Sequence, residues 1–493
     1  MIALYQKKAI RQLEQRCFDE QWLSPHELML RAAESAWSYF QCRYKDSNEI
    51  TVFCGKGNNA GDGLVFARLA ADAGLQVRAV LLFDPELMST ESRNALKALS
   101  GSSVVLENFS LATKCKSGVI VDAILGIGLK GETSHFLSGV IDYINETGLP
   151  VLSLDIPSGL HANTGRASVS TIKADATVTF IAMKTGLVTC NGLEHCGSIC
   201  VNDLGFPIQW LADVEPTAQT LLWNDVVPLL KRRQRDVHKG DHGHALVIGG
   251  DYGMGGAVRM SAEAALRVGA GLVTVATRPE HVSIVTGVRP EIMCHQVANS
   301  DDLDCLIDRC DVIVIGPGLG TSNWASQLLE SVLLSSKPKV LDADALNLLS
   351  NRQCTLLDAI ITPHPGEAAR LLSMSSIDVQ DDRFAAMTSL LELHQSVVVL
   401  KGSGTLVASE GLLPFVCTEG NPGMASAGMG DVLTGVLGGL LAQGLTTIEA
   451  AKAGVLVHSV AADRAAEEGG ERGLLATDLL NYLRTLVNPY DLC

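Results

Sequence analysis

The sequence predicts an α/β protein of two domains, and three observations carry that expectation. Short β-branched runs alternate with helical patterns rich in Ala and Leu along most of the chain, which is the rhythm of a parallel, doubly wound sheet. A Pro-punctuated stretch without periodicity, 206–238, interrupts the rhythm once and divides the 493 residues near position 222. At ~150 residues per domain the length would allow three domains, but two large ones fit equally well. Loops bearing Gly and Asp follow the strands, and ligands sit beyond the carboxyl ends of strands in open α/β sheets.

In the first half the expected strands are ITVFCG (50–55), VRAVLLF (77–83), VIVDAIL (119–125), VLSLDIP (151–157) and ATVTFI (176–181). The second series runs HALVIGG (244–250), LVTVAT (272–277), DVIVIGPG (311–318), PKVLDAD (338–344), AIITPHPG (359–366), SVVVLKGSG (396–404) and TLVAS (405–409). Apolar residues at helical spacing, as over 257–270, place helices between them. No repeat of 20 to 50 residues appears, and the halves do not look like duplicates. The boundaries predicted are 1–222 and 223–493.

Composition removes several function classes. With 38 Lys plus Arg against 54 Asp plus Glu, the net charge is −16, so a broad basic face for nucleic acid is not expected. The basic run KRRQR (231–235) reads as a solvated loop or helix end, with a phosphate-attracting lip as the alternative. The 13 cysteines are scattered without a CxxC pair, which speaks against a disulfide framework or zinc ribbon and for a reduced, cytoplasmic protein. Cys190, His195, Cys196 and Cys200 match no common zinc spacing and read as small buried residues. The first residues form no apolar leader, and the run 432–442 is shorter than the ~20 residues that cross a bilayer, so no membrane association is expected.

The first half holds a Gly-rich strand-to-helix turn, FCGKGNNAGDG (53–63). Bare amides at a helix N-terminus suit a phosphate, although many tight turns need glycine for geometry alone. Asn58, Asn59 and Asp62 sharpen the signal, because three polar side chains in one turn must bond the turn itself, a ligand or a cation. The spacing is not GxGxxG and the acidic residue lies inside the loop, so a dinucleotide-binding dehydrogenase is disfavoured. Asp122 opens DAILGIGLKGE (122–132) and Asp155 opens DIPSG (155–159). Either aspartate alone could be a turn or cap residue, but the three strand-end loops are expected to meet in one crevice. Asn59, Asp122 and Ser158 with backbone carbonyls would suit a hard cation.

The second half carries GNPGMASAGMGD (420–431) running into a small-residue helix. Glycines followed by an acid at a helix start make an anion pocket of amides with a carboxylate beside it. That arrangement can deprotonate an alcohol beside a terminal phosphate while amides stabilise the developing charge. A helix cap would explain Asp431 alone, but not the glycines together with KGSGT (401–405), which offers hydroxyls and amides to a nucleotide. His364, between two prolines in TPHPGE (362–367), is equally a substrate contact or a structural residue. GGDYGMGGA (249–257), GPGLG (316–320) and DAD (342–344) complete a ring of strand-end loops. There is no Walker loop, so a P-loop ATPase is excluded.

These motifs resemble a known family. GKGNNAGDG (55–63), DAILGIGLKGE (122–132) and SLDIPSG (153–159) are similar to the epimerase domain of bifunctional NAD(P)H-hydrate repair enzymes. HKGDHGHALVIGGDYGMGGA (238–257), GPGLG, LDADAL (341–346), TPHPGE, KGSGT and NPGMASAGMGD (421–431) resemble the ADP- or ATP-dependent dehydratase of the same enzymes, a relative of ribokinase. The resemblance spans nearly the whole chain. It implies an N-terminal Rossmann-like doubly wound sheet and a C-terminal ribokinase-like α/β domain. Two departures stand out: Ala60 where glycine is usual, expected to restrict a backbone angle, and Ile127 where threonine is common, which removes a hydroxyl from the pocket.

Residue by residue, the resemblance implies that Asn58, Asn59, Ala60, Gly61 and Asp62, with Gly126, Ile127, Gly128, Leu129, Lys130, Gly131, Glu132 and Asp155, contact the hydrate in the first domain. Asn59, Asp122 and Ser158 would hold potassium. In the second domain Ala257, Gly320, His364 and Asp431 would contact the hydrate, and Lys401, Gly402, Ser403, Gly404, Thr405 and Gly430 the nucleotide, ADP or ATP with magnesium. The substrates implied are NADHX and NADPHX, the hydrates of NADH and NADPH at carbon 6, and a homo-oligomer is expected. Asp431 is the expected base for phosphorylating the carbon-6 hydroxyl, and Asp155 the acid/base candidate for epimerisation. Two other readings compete. One is a ribokinase-like hydroxymethyl kinase fused to a ligand-binding domain, which would release a stable phosphoester. The other is a dinucleotide-sensing first domain without turnover.

Overall fold

The computed structural model describes residues 1–110, 113–129, 131–352 and 354–489. The chain divides into two compact units, one of residues 2–218 and one from Gln219 onward that includes Met1.

In the first unit the strands Val105–Asn108, Gln76–Leu81, Glu49–Cys54, Val119–Ala123, Val151–Leu154, Ala176–Phe180 and Ser198–Asn202 lie side by side in that order, all parallel. The central strands are buried almost throughout and mostly apolar, as strands covered on both faces are expected to be. The chain starts at Glu49–Cys54, builds outward twice on one side, then returns to Val119–Ala123 on the other. The carboxyl ends of those two strands therefore flank the topological switch point, where a crevice opens. A second, short parallel pair joins Leu4 to Met183 and Tyr5 to Lys184. It anchors the following helix, Lys7–Asp19, which buries Ile10, Leu13 and Cys17. The helix Pro25–Arg43 begins with Ser24 and Glu27 capping each other's backbone amides.

The second unit repeats the logic on a larger scale. Its order is Met293–Gln296, Leu272–Thr277, His244–Ile248, Val312–Ile315, Lys339–Leu341, Ala359–Ile361 and Val397–Leu400, all parallel, followed by Thr405–Ala408 and Phe415–Cys417 in antiparallel pairing. Gln219 and Thr220 extend this sheet by pairing with Phe415 and Val416. The switch point falls between His244–Ile248 and Val312–Ile315. Gly316 follows the latter at φ +130°, and a Cβ there would lie 1.8 Å from the carbonyl oxygen of Asp342, so only glycine lets the two strand ends touch. The helix Met429–Ala442, which contains the apolar run 432–442, packs across the sheet against Gly255–Arg267 and is buried from Val432 to its end. No described helix is long and apolar enough to cross a membrane.

All twelve described cysteines are free thiols. Cys196 is buried, which pushes its thiol up to about 12, whereas Cys190 and Cys200 are only half-buried. The His195 Nδ1 lies 2.9 Å from the Ile172 carbonyl. Among the described residues no three His, Cys, Asp or Glu side chains gather as a metal site. The basic run 231–235 is exposed and irregular, as a solvated stretch should be, and it borders an open cavity of about 1130 Å3 together with Arg267, Arg289 and Arg484.

Candidate functional site

At the first unit's switch point, the loop after Glu49–Cys54 turns straight into the helix Asn58–Asp72, with Gly57 at its N-cap. A Cβ at Gly55 would stand 2.0 Å from the Ile124 carbonyl oxygen, so glycine seats this loop directly on its neighbour. The Asn59 Nδ2 donates to the carbonyls of Leu125 at 3.0 Å and Leu154 at 3.1 Å. One side chain thus ties the ends of three strands together. Its Oδ1 is buried and accepts no hydrogen bond from any described residue, a costly state that a cation would relieve. Asp122 is fully buried and accepts from the Ser158 amide at 2.8 Å, the Ser158 hydroxyl at 2.6 Å, the Ser153 hydroxyl at 2.9 Å and the Ile124 amide at 3.2 Å. Burial pushes its carboxyl up although these donors pull the other way. The Ser158 hydroxyl also reaches the Leu125 carbonyl at 3.3 Å. Asn59 and Ser158 therefore meet at the Leu125 carbonyl, Asp122 is bonded to Ser158, and an orphaned oxygen lies among them.

Asp155 adopts φ +67°, an uncommon backbone state for a side-chain-bearing residue and one that clusters at functional sites. Its Oδ1 is 2.6 Å from the Lys184 Nζ, and its Oδ2 accepts from the Ile127 amide at 3.2 Å. Lys184 is 1% exposed and also donates to Thr179 at 2.9 Å and to the Phe180 carbonyl at 2.7 Å. A cavity of about 600 Å3 opens above this pair, lined by Asn58, Asn59, Asp62, Gly126, Ile127, Gly128 and Asp155 from the expected set. Asp62 has its carboxyl pushed well up by burial and by Asp155 and Glu14.

Other expected residues lie elsewhere. Ala60 and Gly61 are buried on the helix's packed side, where a Cβ at Gly61 would meet Met29 and Ser92. Ala60 is helical and is not among the residues at positive φ, so its Cβ restricts no backbone angle that the fold needs, contrary to expectation. Leu129 and Gly131 do not line the cavity, and Glu132 accepts from Arg166 at 3.0 Å and the Val169 amide at 3.2 Å. Lys130 lies outside the described residues.

The cavity also exposes what the sequence reading missed. Lys184 stands just after the run ATVTFI, and a lone lysine closing a buried strand was the available signal. Glu14 and Arg11 reach the cavity from the helix Lys7–Asp19. Glu14 falls beside the buried positions Ile10, Leu13 and Cys17, where an acid on the flank of an apolar stripe calls for a reason. Burial raises its carboxyl to about 7, helped by Asp155 and opposed by Lys184 and Arg11.

In the second unit a carboxylate and ammonium cluster occupies the strand ends. Lys401 closes Val397–Leu400 and places its Nζ 2.6 Å from the Asp342 Oδ1 and 3.7 Å from the Glu367 Oε2. The Thr434 hydroxyl donates to the other Asp342 oxygen at 2.7 Å. Burial opposes ionisation of Asp342, yet the Lys401 ammonium holds its carboxyl below the usual range. The Lys401 ammonium, disfavoured by burial, is in turn held up by Asp342 and Glu367. The Lys401 side chain is thus committed to this cluster, and the turn after it presents Gly402, Ser403 and Gly404 instead. The buried Arg383 clamps that turn from below, donating to the carbonyls of Leu400 at 3.0 Å, Lys401 at 3.2 Å and Gly404 at 3.3 Å. Thr405 donates to the Gly402 carbonyl at 2.8 Å.

Asp431 sits in the first turn of Met429–Ala442, whose N-cap, Gly428, takes φ +90°. Burial raises its carboxyl to about 7, with Asp342 and Asp344 adding to the shift and Lys401 opposing it. At Gly430 a Cβ would lie 3.4 Å from both the Asp342 Oδ2 and the Lys401 Nζ, so the helix start approaches the cluster closely. The Gly320 amide donates to Asp344 at 2.8 Å, and Ala257 lies under the same loop, where a Cβ at Gly318 would be 3.1 Å from its own. His364 has its Nδ1 filled by the Gly366 amide at 2.9 Å and the Glu367 amide at 3.3 Å. Burial lowers its imidazole, as does Lys401. His364 therefore caps the helix Pro365–Leu372, and its Nε2 lies 3.4 Å from the Glu367 Oε1.

Comparison with known proteins places both units. A family model described as NAD(P)H-hydrate dehydratase matches residues 245–485, and one described as YjeF-related protein N-terminus matches 25–186. A bifunctional NAD(P)H-hydrate repair enzyme of Coxiella burnetii is 54% identical over 489 residues, covering 99% of this chain and 100% of the relative. Among solved structures, an Enterococcus faecalis protein of the ribokinase-like superfamily aligns with TM-score 0.52 and 32% identity over 55% of this chain and 96% of its own. An ADP/ATP-dependent NAD(P)H-hydrate dehydratase of Bacillus subtilis, co-crystallised with ATP and magnesium, aligns with TM-score 0.51 and 28% identity over 55% of this chain and 99% of its own.

Proposed function

Because the chain belongs to the family of bifunctional NAD(P)H-hydrate repair enzymes, we propose that the first unit, residues 2–218, interconverts the R and S hydrates and that the second, from Gln219, dehydrates the S form. The observation that carries this reading is the Asp431 carboxyl, raised to about 7 at a glycine-led helix start beside the Lys401–Asp342 pair. A base with that affinity for protons is suited to neutral pH.

The substrate is a ring carrying a hydroxyl at carbon 6, and hydroxide is a poor leaving group. Asp431 takes the hydroxyl proton as the oxygen attacks the terminal phosphorus of ADP or ATP, and the shorter nucleotide departs. The amides around Gly430 face the charge that develops on the transferring group. The ring nitrogen pair then forms a double bond to carbon 6 as phosphate leaves with the C–O electrons, and loss of a proton from carbon 5 restores the ring of NADH or NADPH. Gly402, Ser403, Gly404 and Thr405 cradle the nucleotide, and Lys401 positions Asp342 and tempers Asp431. Ala257, Gly320 and His364 line the hydrate's side. Magnesium bound with the nucleotide would neutralise phosphate charge.

In the first unit Asn58, Asn59, Asp62, Gly126, Ile127 and Gly128 hold the hydrate, and Asp155 exchanges a proton with the oxygen at carbon 6. The orphaned Asn59 Oδ1, the Asp122–Ser158 pair and the Leu125 carbonyl fit a potassium ion, which would supply positive charge near the substrate's phosphates.

Absorbance at 340 nm tests both halves in one cuvette, with mixed R and S NADH hydrate, ADP or ATP, magnesium and potassium. Recovery beyond the S fraction is expected. In Asp431→Asn dehydration should fall by ~1000-fold or more, while interconversion of R and S, followed by chromatography, persists. Retained dehydration in that variant would sink the assignment, and a stable phosphoester product would return the chain to the hydroxymethyl kinases.

A further inference from the structure

The epimerase cavity holds a carboxyl that the reading above does not use. The helix Lys7–Asp19 is fastened beside the site by the pairing of Leu4 and Tyr5 with Met183 and Lys184, so the strand that delivers the Lys184 ammonium to Asp155 also delivers Glu14 to the same cavity. Glu14 makes no hydrogen bond or ion pair among the described residues, whereas Asp155 is held at both oxygens by Lys184 and the Ile127 amide. The family model begins at residue 25, eleven positions beyond it.

Resting on the epimerase reading, we infer that Glu14 is the second proton-exchanging group of that reaction, working from the helix wall of the cavity against Asp155 at the strand ends. Inverting carbon 6 by loss and return of water needs an acid for the departing hydroxyl and a base for the entering water. Protonated Glu14 gives its proton to the hydroxyl, the C–O bond breaks with its electrons leaving in water, and the ring nitrogen pair closes a double bond to carbon 6. A water from the other face then bonds to carbon 6, the pair returns to nitrogen, and the released proton goes to Asp155. The reverse direction uses the same groups with their roles exchanged.

The surroundings support that division. Burial favours the neutral form of Glu14, Asp155 adds to this, and Lys184 and Arg11 oppose it, leaving the carboxyl at about 7. Asp62 faces Glu14 as a third acid, itself pushed well up, and Lys56 and Glu91 stand at the cavity wall. Two carboxyl groups whose environments differ this much are suited to acid and base roles.

The test uses the full-length chain and its own dehydratase as the reporter. Glu14→Gln keeps the size and polarity of the side chain but cannot exchange a proton. It is expected to lower kcat for conversion of R to S hydrate by ~100-fold or more, with KM within about threefold, and to remove the ionisation near pH 7 from the epimerase profile. Dehydration of purified S hydrate should be unchanged, which reports a folded second unit, and an unchanged denaturation midpoint of the 2–218 unit reports that the first unit is folded too. Glu14→Asp should recover part of kcat. Epimerisation by Glu14→Gln within threefold of wild type, or a defect confined to KM, overturns the inference. A wild-type chain that leaves the R hydrate untouched overturns the epimerase reading itself, so the two failures are distinguishable.

Discussion

Asp431 shows how neighbours set the working range of one residue. Its carboxyl is raised to about 7 by burial and by Asp342 and Asp344, against the pull of Lys401. A base acts in its ionised form, so kcat/KM for dehydration is expected to fall tenfold per unit below about pH 7 and to level off above it. Lys401→Met removes the cation that favours ionised Asp431, so this limb should move upward by about 1 pH unit. The same change leaves Asp342 buried without its partner, which costs about 3–5 kcal/mol of stability, so the profile is best measured at low temperature alongside a denaturant titration. A limb that stays in place would show that Lys401 does not couple to the base. Glu14 and Asp431 thus reach a similar proton affinity chiefly by the same device, a carboxyl drawn out of water beside another acid.

At the scale of elements, the helix Met429–Ala442 carries the base and is held by close contact through its glycines. A Cβ at Gly435 would lie 2.0 Å from the Ser261 carbonyl oxygen, and one at Gly438 2.2 Å from a Val314 methyl. Gly435→Ala should therefore push this helix off Gly255–Arg267, costing about 1–3 kcal/mol and displacing Asp431. Dehydratase turnover should drop with the denaturation midpoint, while epimerase turnover holds. An unchanged midpoint would contradict the packing described. The buried strands were legible in the sequence because both faces are covered and the runs are mostly apolar, as at Val312–Ile315 or at Val119–Ala123 with its single Asp122. The strands Val105–Asn108, Ser198–Asn202 and Met293–Gln296 were not legible, because they are largely exposed sheet edges without such a run. The site followed the same division. Motifs at strand ends marked Asn59, Asp155 and Asp431, but Glu14 and Lys184 reach the cavity through a pairing of distant segments, Ala3–Tyr5 with Met183–Lys184, that no local pattern announces.

At the scale of the molecule, each unit has a complete parallel sheet with its own switch point and its own apolar core. One core gathers residues from Tyr5 to Trp210, the other from Leu221 to Leu486. Each also holds all the residues assigned to its reaction, including Glu14 in the first and the Lys401–Asp342 cluster in the second. Cores of this size are large enough for domains to fold alone. Fragments cut between Ala218 and Gln219, where the two units divide, are therefore expected to be active separately, 1–218 as an epimerase without nucleotide and 219–493 as a dehydratase of the S hydrate alone. Mixed at equal concentration, they should restore recovery of NADH from the R fraction, with the S hydrate passing between them through solution. A 219–493 fragment that unfolds, or a 1–218 fragment that folds but does not epimerise, would mean that the reactions depend on residues from both units, and the assignment of one site to each would have to be abandoned.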